Sequence, residues 1–230
     1  MKVGPRLIIT VASVLTLVFL RLGFWQLSRL SERKQLNAEL ASRAVDSAVP
    51  ISQLPTDTAL AHYRRVLLEG NYDYDNEIVL SFRSREGSPG VNIVTPLALP
   101  GTDTVLMVVR GWVYSPDGTT VDLPRWREAN TLKGEGFVET YPPPRAGVNG
   151  SSITTSAYRW LDRSRLEKRI RHPLKPYYAV LTSPPVDSVH TPPRLRVPPM
   201  DEGPHRSYAI QWFSFAAISI IGTVLFLRRK

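Results

Sequence analysis

The sequence predicts an α+β membrane protein in which two transmembrane helices flank a small β-rich extracytoplasmic domain. Three observations carry this. Leu7–Leu20 is uncharged and is extended, past Arg21, by Leu22–Trp25. Tyr208–Leu227 is uncharged for 20 residues and is closed by Arg228, Arg229 and Lys230. Between these ends, short apolar runs of strand length alternate with Pro-, Gly- and Asp-rich punctuation.

The first run alone covers about 21 Å as a helix, short of the roughly 30 Å hydrocarbon core. Residues 7–25 reach that length, with Arg21 close enough to one interface to snorkel and Trp25 at headgroup level. The bulky, charged stretch Leu20–Trp25 lacks the small residues of a signal-peptidase site, so an anchor is expected rather than a cleaved leader. Leu27, Leu30, Leu36 and Leu40 continue the helical spacing until Pro50 and Pro55.

Strands are expected at Arg64–Glu69, Glu77–Phe82, Val91–Leu99, Thr104–Tyr114, Glu135–Thr140 and Tyr177–Thr182, with a hairpin turn at Pro100-Gly101-Thr102-Asp103. Trp160–Arg171 reads as a short helix. The proline pairs near 183–199 read as a semi-rigid lead back to the membrane. The expected organisation is a tail (1–6), a span (7–25), a helical extension and linker (26–55), the β-rich domain (56–182), a Pro-rich linker (183–204), a second span (205–227) and a tail (228–230).

Of the net charge of +9, five units fall within residues 1–34 and three on the last three residues. Basic ends around apolar runs point to a membrane rather than to nucleic acid, which would draw basic charge over the folded domain. Basic residues on both sides of the spans leave orientation open on charge alone. The absence of cysteine excludes disulfides, thiolate metal sites and cysteine nucleophiles. The chain has no G-x-S-x-G, Walker, G-x-G-x-x-G or H-E-x-x-H motif, and its four histidines are not paired at helical spacing. A non-enzyme is expected. Asp73, Asp75 and Glu77 read as a solvated loop. The basic residues of 163–171 read as a solvated helix face, with anionic lipid or an acidic partner as the functional alternative.

At helical spacing His205, Tyr208, Ala209, Trp212 and Ala216 share a face, and so do Val18, Arg21, Leu22, Trp25 and Arg29. If those faces meet, a histidine and two arginines border an aromatic groove. Such a groove suits haem. An imidazole can ligate iron, rings cover the macrocycle and arginines pair with propionates. Interfacial anchoring is the simpler alternative.

These residues resemble the Surfeit locus protein 1 family of cytochrome c oxidase assembly factors. LGFWQLSR (22–29) with Arg33-Lys34 is similar to the signature that closes the family's first span. RRVLLEGNYD (64–73), PGVNIVTPL (89–97), VLMVVRGWV (105–113), WLD (160–162) and PYYAVL (176–181) follow in the family's order. HRSYAIQWFSFA (205–216) resembles the block that opens its second span. Val109, Tyr114, Arg21 and Gly203-Pro204 depart from the usual pattern.

The resemblance implies a role in haem a insertion into oxidase subunit I, with haem a as cofactor and His205 as the iron ligand. Tyr208, Trp212 and Trp25 would line the site, and Arg21 and Arg29 are suggested as propionate partners. The implied partners are oxidase subunit I, haem a synthase and the lipid membrane, without nucleic acid. A chain that starts almost directly at its first span suggests a bacterial plasma membrane with the domain on its outer face. The alternative is a haem-free scaffold that stabilises an immature oxidase subunit.

Overall fold

A computed structural model describes residues 5–143, 154–183, 189–198 and 200–228. The tail residues 1–4 and 229–230 lie outside the described residues, as do parts of the proline-rich stretches. The chain divides into two compact units, one made of Met1–Glu39 with Pro199–Lys230 and the other of Leu40–Pro198.

Helix α1 runs unbroken over Pro5–Val45. Its first half is apolar and its second half polar, so one continuous helix joins the predicted span to the predicted extension. After a short strand β1 (Val49–Pro50), helix α2 (Thr58–Ala61) is capped by Asp57, whose carboxylate accepts from Ala59 N.

The sheet then forms from β2 (Arg65–Tyr72), β3 (Ile78–Arg85), β4 (Ser88–Ala98), β5 (Val105–Tyr114), β6 (Thr131–Thr140), β7 (Ala157–Tyr158) and β8 (Tyr177–Ser183). Helix α3 (Arg163–Ile170) separates β7 from β8, and helix α4 spans His205–Arg228. The strands order as β1-β2-β6-β8-β5-β4-β3-β7, and β2 also pairs with β4 through Asn71↔Ala98 and Tyr72↔Leu97. That last pairing closes β2, β6, β8, β5 and β4 on themselves, which removes their free edges. The six strands read from the sequence are all present, and the predicted hairpin is β4–β5. The two-residue strands β1 and β7 were not anticipated, since two residues show no periodicity.

The apolar run at the start of β5 has a structural reason. Leu106 and Val108 face a core with Val66, Leu68, Val138, Ala179 and Leu181. Val105, Met107 and Val109 face a second core on the other side, with Ile78, Val94, Phe137 and Leu166. A strand buried on both faces has no polar alternate positions. Helix α3 covers the second core with Leu166 and Ile170, one turn apart, and leaves Arg163 and Lys168 exposed while Arg165, Glu167 and Arg169 are partly buried. The Asp162 side chain accepts from Arg165 N at its start, and Arg171 ends it in the left-handed conformation.

Two expectations are corrected here. Glu77 is buried, not part of a solvated loop. Residues 191–197 are packed on the sheet, not drawn out as a linker. Pro193 O accepts from Trp112 N at 2.9 Å, and Leu195 and Val197 pack against the second core. Gly111 permits this contact, since a Cβ there would lie 2.6 Å from Pro193 O. Proline lacks an N–H, but its carbonyl still accepts, so a proline-rich segment can strap a strand.

Candidate functional site

The histidine predicted as a ligand opens α4. Its Nδ1 lies 2.8 Å from Gln26 Oε1 on α1. A carboxamide oxygen only accepts, so Nδ1 carries the hydrogen and donates it. In the neutral ring Nε2 then holds a lone pair. The same kind of neighbour that fixes the tautomer of metal-binding histidines is therefore present.

Below this pair the two helices meet through small and aromatic side chains. Phe19 stacks on Trp212 at 5.9 Å between ring centroids. Thr16 Oγ1 donates to Ser219 Oγ at 2.9 Å, and Ser219 Oγ reaches Ala12 O at 3.2 Å. Ala209 and Ala216 are buried. A Cβ on Gly23 would lie 2.7 Å from the Phe213 ring, so any larger residue there would have to displace that ring. On α4 the predicted face is the contacting one for His205, Ala209, Trp212 and Ala216, with Tyr208 half-exposed at its margin.

On α1 the predicted face is not the contacting one. The α1 residues that meet α4 include Ala12, Thr16, Phe19, Gly23 and Gln26, with Phe24 edge-on to Phe213. Val18, Arg21 and Trp25 project roughly 120–180° away at about 100° per residue. Arg21 and Trp25 line an open apolar depression with Val18, Leu22 and Phe24. Arg29 pairs with Glu32 at 2.7 Å and lies 5.8 Å from the Trp25 ring centroid. The structure thus brings His205 together with Trp212, adds Phe19 and Gln26, and leaves Arg21, Trp25 and Arg29 on other faces. Gln26 was legible as a polar side chain three residues after Gly23. Phe19 was not distinguishable among so many apolar neighbours.

The sheet domain has a separate charged centre. The β4–β5 register shifts between Ile93 and Val94, which pair with Gly111 and Val109, so Arg110 is the extra residue of a bulge. A bulge re-aims its side chain. Arg110 is fully buried, 2.6 Å from Glu77 Oε1 and 2.9 Å from Glu128 Oε2. Thr95 Oγ1 also donates to Glu77, at 2.7 Å, and the Trp126 carbonyl accepts from Arg110. The rings of Tyr72 and Tyr74 each lie 5.2 Å from the guanidinium carbon. Arg194 of the strap binds Glu128 and donates to Arg110 O.

Two arginines and two glutamates leave this centre neutral. Burial pushes the Glu77 carboxyl above the ordinary carboxylate range, against Thr95 and Arg110, which hold it down. Burial pulls Arg110 down, but Tyr74, Glu77 and Glu128 carry it above its ordinary value. No group of three or more metal-ligating side chains occurs among the described residues.

A scan against protein-family models matches the SURF1 family over residues 13–217. The chain belongs to the SURF1 family. A SURF1-like protein of Monosiga brevicollis is 27% identical over 91% of this chain and 83% of its own length. A SURF1-like protein of Rickettsia felis is 23% identical, with 92% of each chain covered. A protein of Saccharomyces cerevisiae named cytochrome oxidase assembly protein SHY1 is 23% identical over 48% of this chain and 29% of its own. The match takes in α1 from residue 13, the sheet domain and the first half of α4, which carries His205. Both α1 and α4 are long and apolar enough to cross a membrane.

Proposed function

We propose that this SURF1-family protein is a membrane-anchored assembly factor for cytochrome c oxidase. It assists haem a insertion into subunit I, without catalysing a reaction, and works beside haem a synthase. The name of the yeast relative supports the oxidase part. In this reading 7–25 and 205–227 cross the plasma membrane of a bacterium and the sheet domain lies on the outer face.

The haem part rests on one observation, the Nδ1 hydrogen bond of His205 to Gln26. It keeps the imidazole oriented and leaves Nε2 as a donor. Trp212, Phe19 and Tyr208 offer apolar surface nearby in sequence and on the same helix pair. A bound haem would supply an iron centre that accepts one nitrogen lone pair. A single exchangeable ligand suits a protein that must release what it holds. Arg21, Trp25 and Arg29 have no part in this shell, because they project from other faces of α1.

The test is the absorption spectrum of detergent-purified protein from cells that make haem a, with His205→Ala alongside. A Soret band in the wild type that is lost in the variant is expected. No band in either would overturn haem binding and leave the scaffold reading. Oxidase assembly itself is tested by deletion. Cells lacking the protein should hold less assembled oxidase, and both findings normal would end the reading.

A further inference from the structure

Four arginines line a single cavity of the sheet domain, about 540 Å³ in volume. This size lies within the roughly 300–1,000 Å³ range of ligand sites. Arg65 comes from β2, Arg85 from the end of β3, and Arg194 and Arg196 from the strap. The other walls are mostly apolar, with Phe137, Leu195, Val197 and Ala44 beside the hydroxyl-bearing Thr182. No acidic residue is among the described residues that line it.

The four charges are not equivalent. Arg65 is compensated by Glu135 at 2.7 Å. Arg194 is compensated by Glu128. Among the described residues, Arg85 and Arg196 have no carboxylate within ion-pair reach, and Arg85 rests only on the Trp112 ring, at 5.9 Å. The cavity therefore keeps two positive charges unneutralised beside an apolar wall. Guanidinium groups are weakly hydrated forks that match phosphate and carboxylate oxygens.

We propose that this cavity binds an amphipathic dianion, whose phosphate or paired carboxylates are held by Arg85 and Arg196 and whose apolar body lies against Phe137, Leu195 and Val197. Two sources share this chemistry, a phospholipid with a phosphomonoester head and a tetrapyrrole dicarboxylate. The site is distinct from the one at His205 and does not depend on it.

The test is calorimetric titration of the full chain in non-ionic detergent, in the His205→Ala background so that His205 contributes nothing. The probes are dihexanoyl phosphatidic acid, deuteroporphyrin, dihexanoyl phosphatidylcholine and inorganic phosphate. At least one dianionic amphipath should bind, and which one identifies the source. Arg85→Gln with Arg196→Gln should weaken that binding at least about tenfold, the scale of a lost charged hydrogen bond. Arg196→Gln alone, at an exposed position, guards against a folding defect and should still weaken binding. The proposal is overturned if neither dianion binds or if the variants bind as tightly as the parent. It is equally overturned if phosphatidylcholine or inorganic phosphate matches the amphipaths.

Discussion

Arg110 donates to Glu77 at 2.6 Å, and neither side chain reaches solvent. Removing one member of a buried pair leaves the other uncompensated, which typically costs about 3–5 kcal/mol. Arg110→Met should therefore lower the unfolding free energy of the sheet domain by that order, read by chemical denaturation of the full chain in detergent. Arg110→Lys should also destabilise it, because an ammonium cannot reach Glu77, Glu128 and the Trp126 carbonyl at once. A variant as stable as the wild type would show that the bulge side chain is dispensable.

Burial raises the phenols of Tyr72, Tyr74, Tyr177 and Tyr178 above their ordinary value of 10.0. A group raised in the folded state contributes stability that is fully present below its unfolded value and is lost as pH rises through the folded one. These phenols should therefore cost the domain stability as pH rises above 10.0. Tyrosinate absorbance followed together with circular dichroism checks this. The buried phenols should ionise in step with loss of sheet, and ionisation well before unfolding would contradict their burial.

The helix pair can be tested without background, because the chain has no cysteine. Thr16→Cys with Ser219→Cys places thiols where two hydroxyls now lie 2.9 Å apart. Oxidation should link α1 to α4, seen as a mobility shift on a denaturing gel. Adding Gly23→Leu should sharply reduce the yield, since even a Cβ there meets the Phe213 ring. Equal cross-linking with leucine would mean that the helices do not pack through Gly23.

Arg194→Ala should loosen the strap, at a cost of about 1–3 kcal/mol for the hydrogen bonds left unmade at Glu128 and Arg110 O. Limited proteolysis should then cut faster within 190–197. Unchanged cutting would show that the Trp112–Pro193 bond and the packing of Leu195 and Val197 suffice.

How far the sequence was readable follows from what each residue type reports. The run Thr104–Tyr114 was readable as a strand because it is rich in β-branched valine and bounded by turn residues, while its burial on both faces emerges only from the two cores it separates. The α1 face was misread for the complementary reason. In a span every face is apolar, so hydrophobic spacing carries no information about helix contacts, and the contact runs through Gly23 and Thr16 instead. On α4 the alanines at 209 and 216 were already part of the reading, and that face was correct. Glu77 was misread because its partner Arg110 is 33 residues away and is aimed by a bulge that leaves no local mark. The proline-rich strap was misread because composition reports missing donors and is silent on carbonyls that accept.

The position of Arg194 in the chain has a consequence for timing. The centre around Arg110 draws on residues from Tyr72 to Arg194, and β8 must slot between β5 and β6 before the sheet is continuous. A chain made from its N-terminus has therefore produced all eight of these strands while their charged centre still lacks its last arginine. Assembly of this domain waits for the segment just ahead of α4, so its earlier strands must stay open until that segment has been made.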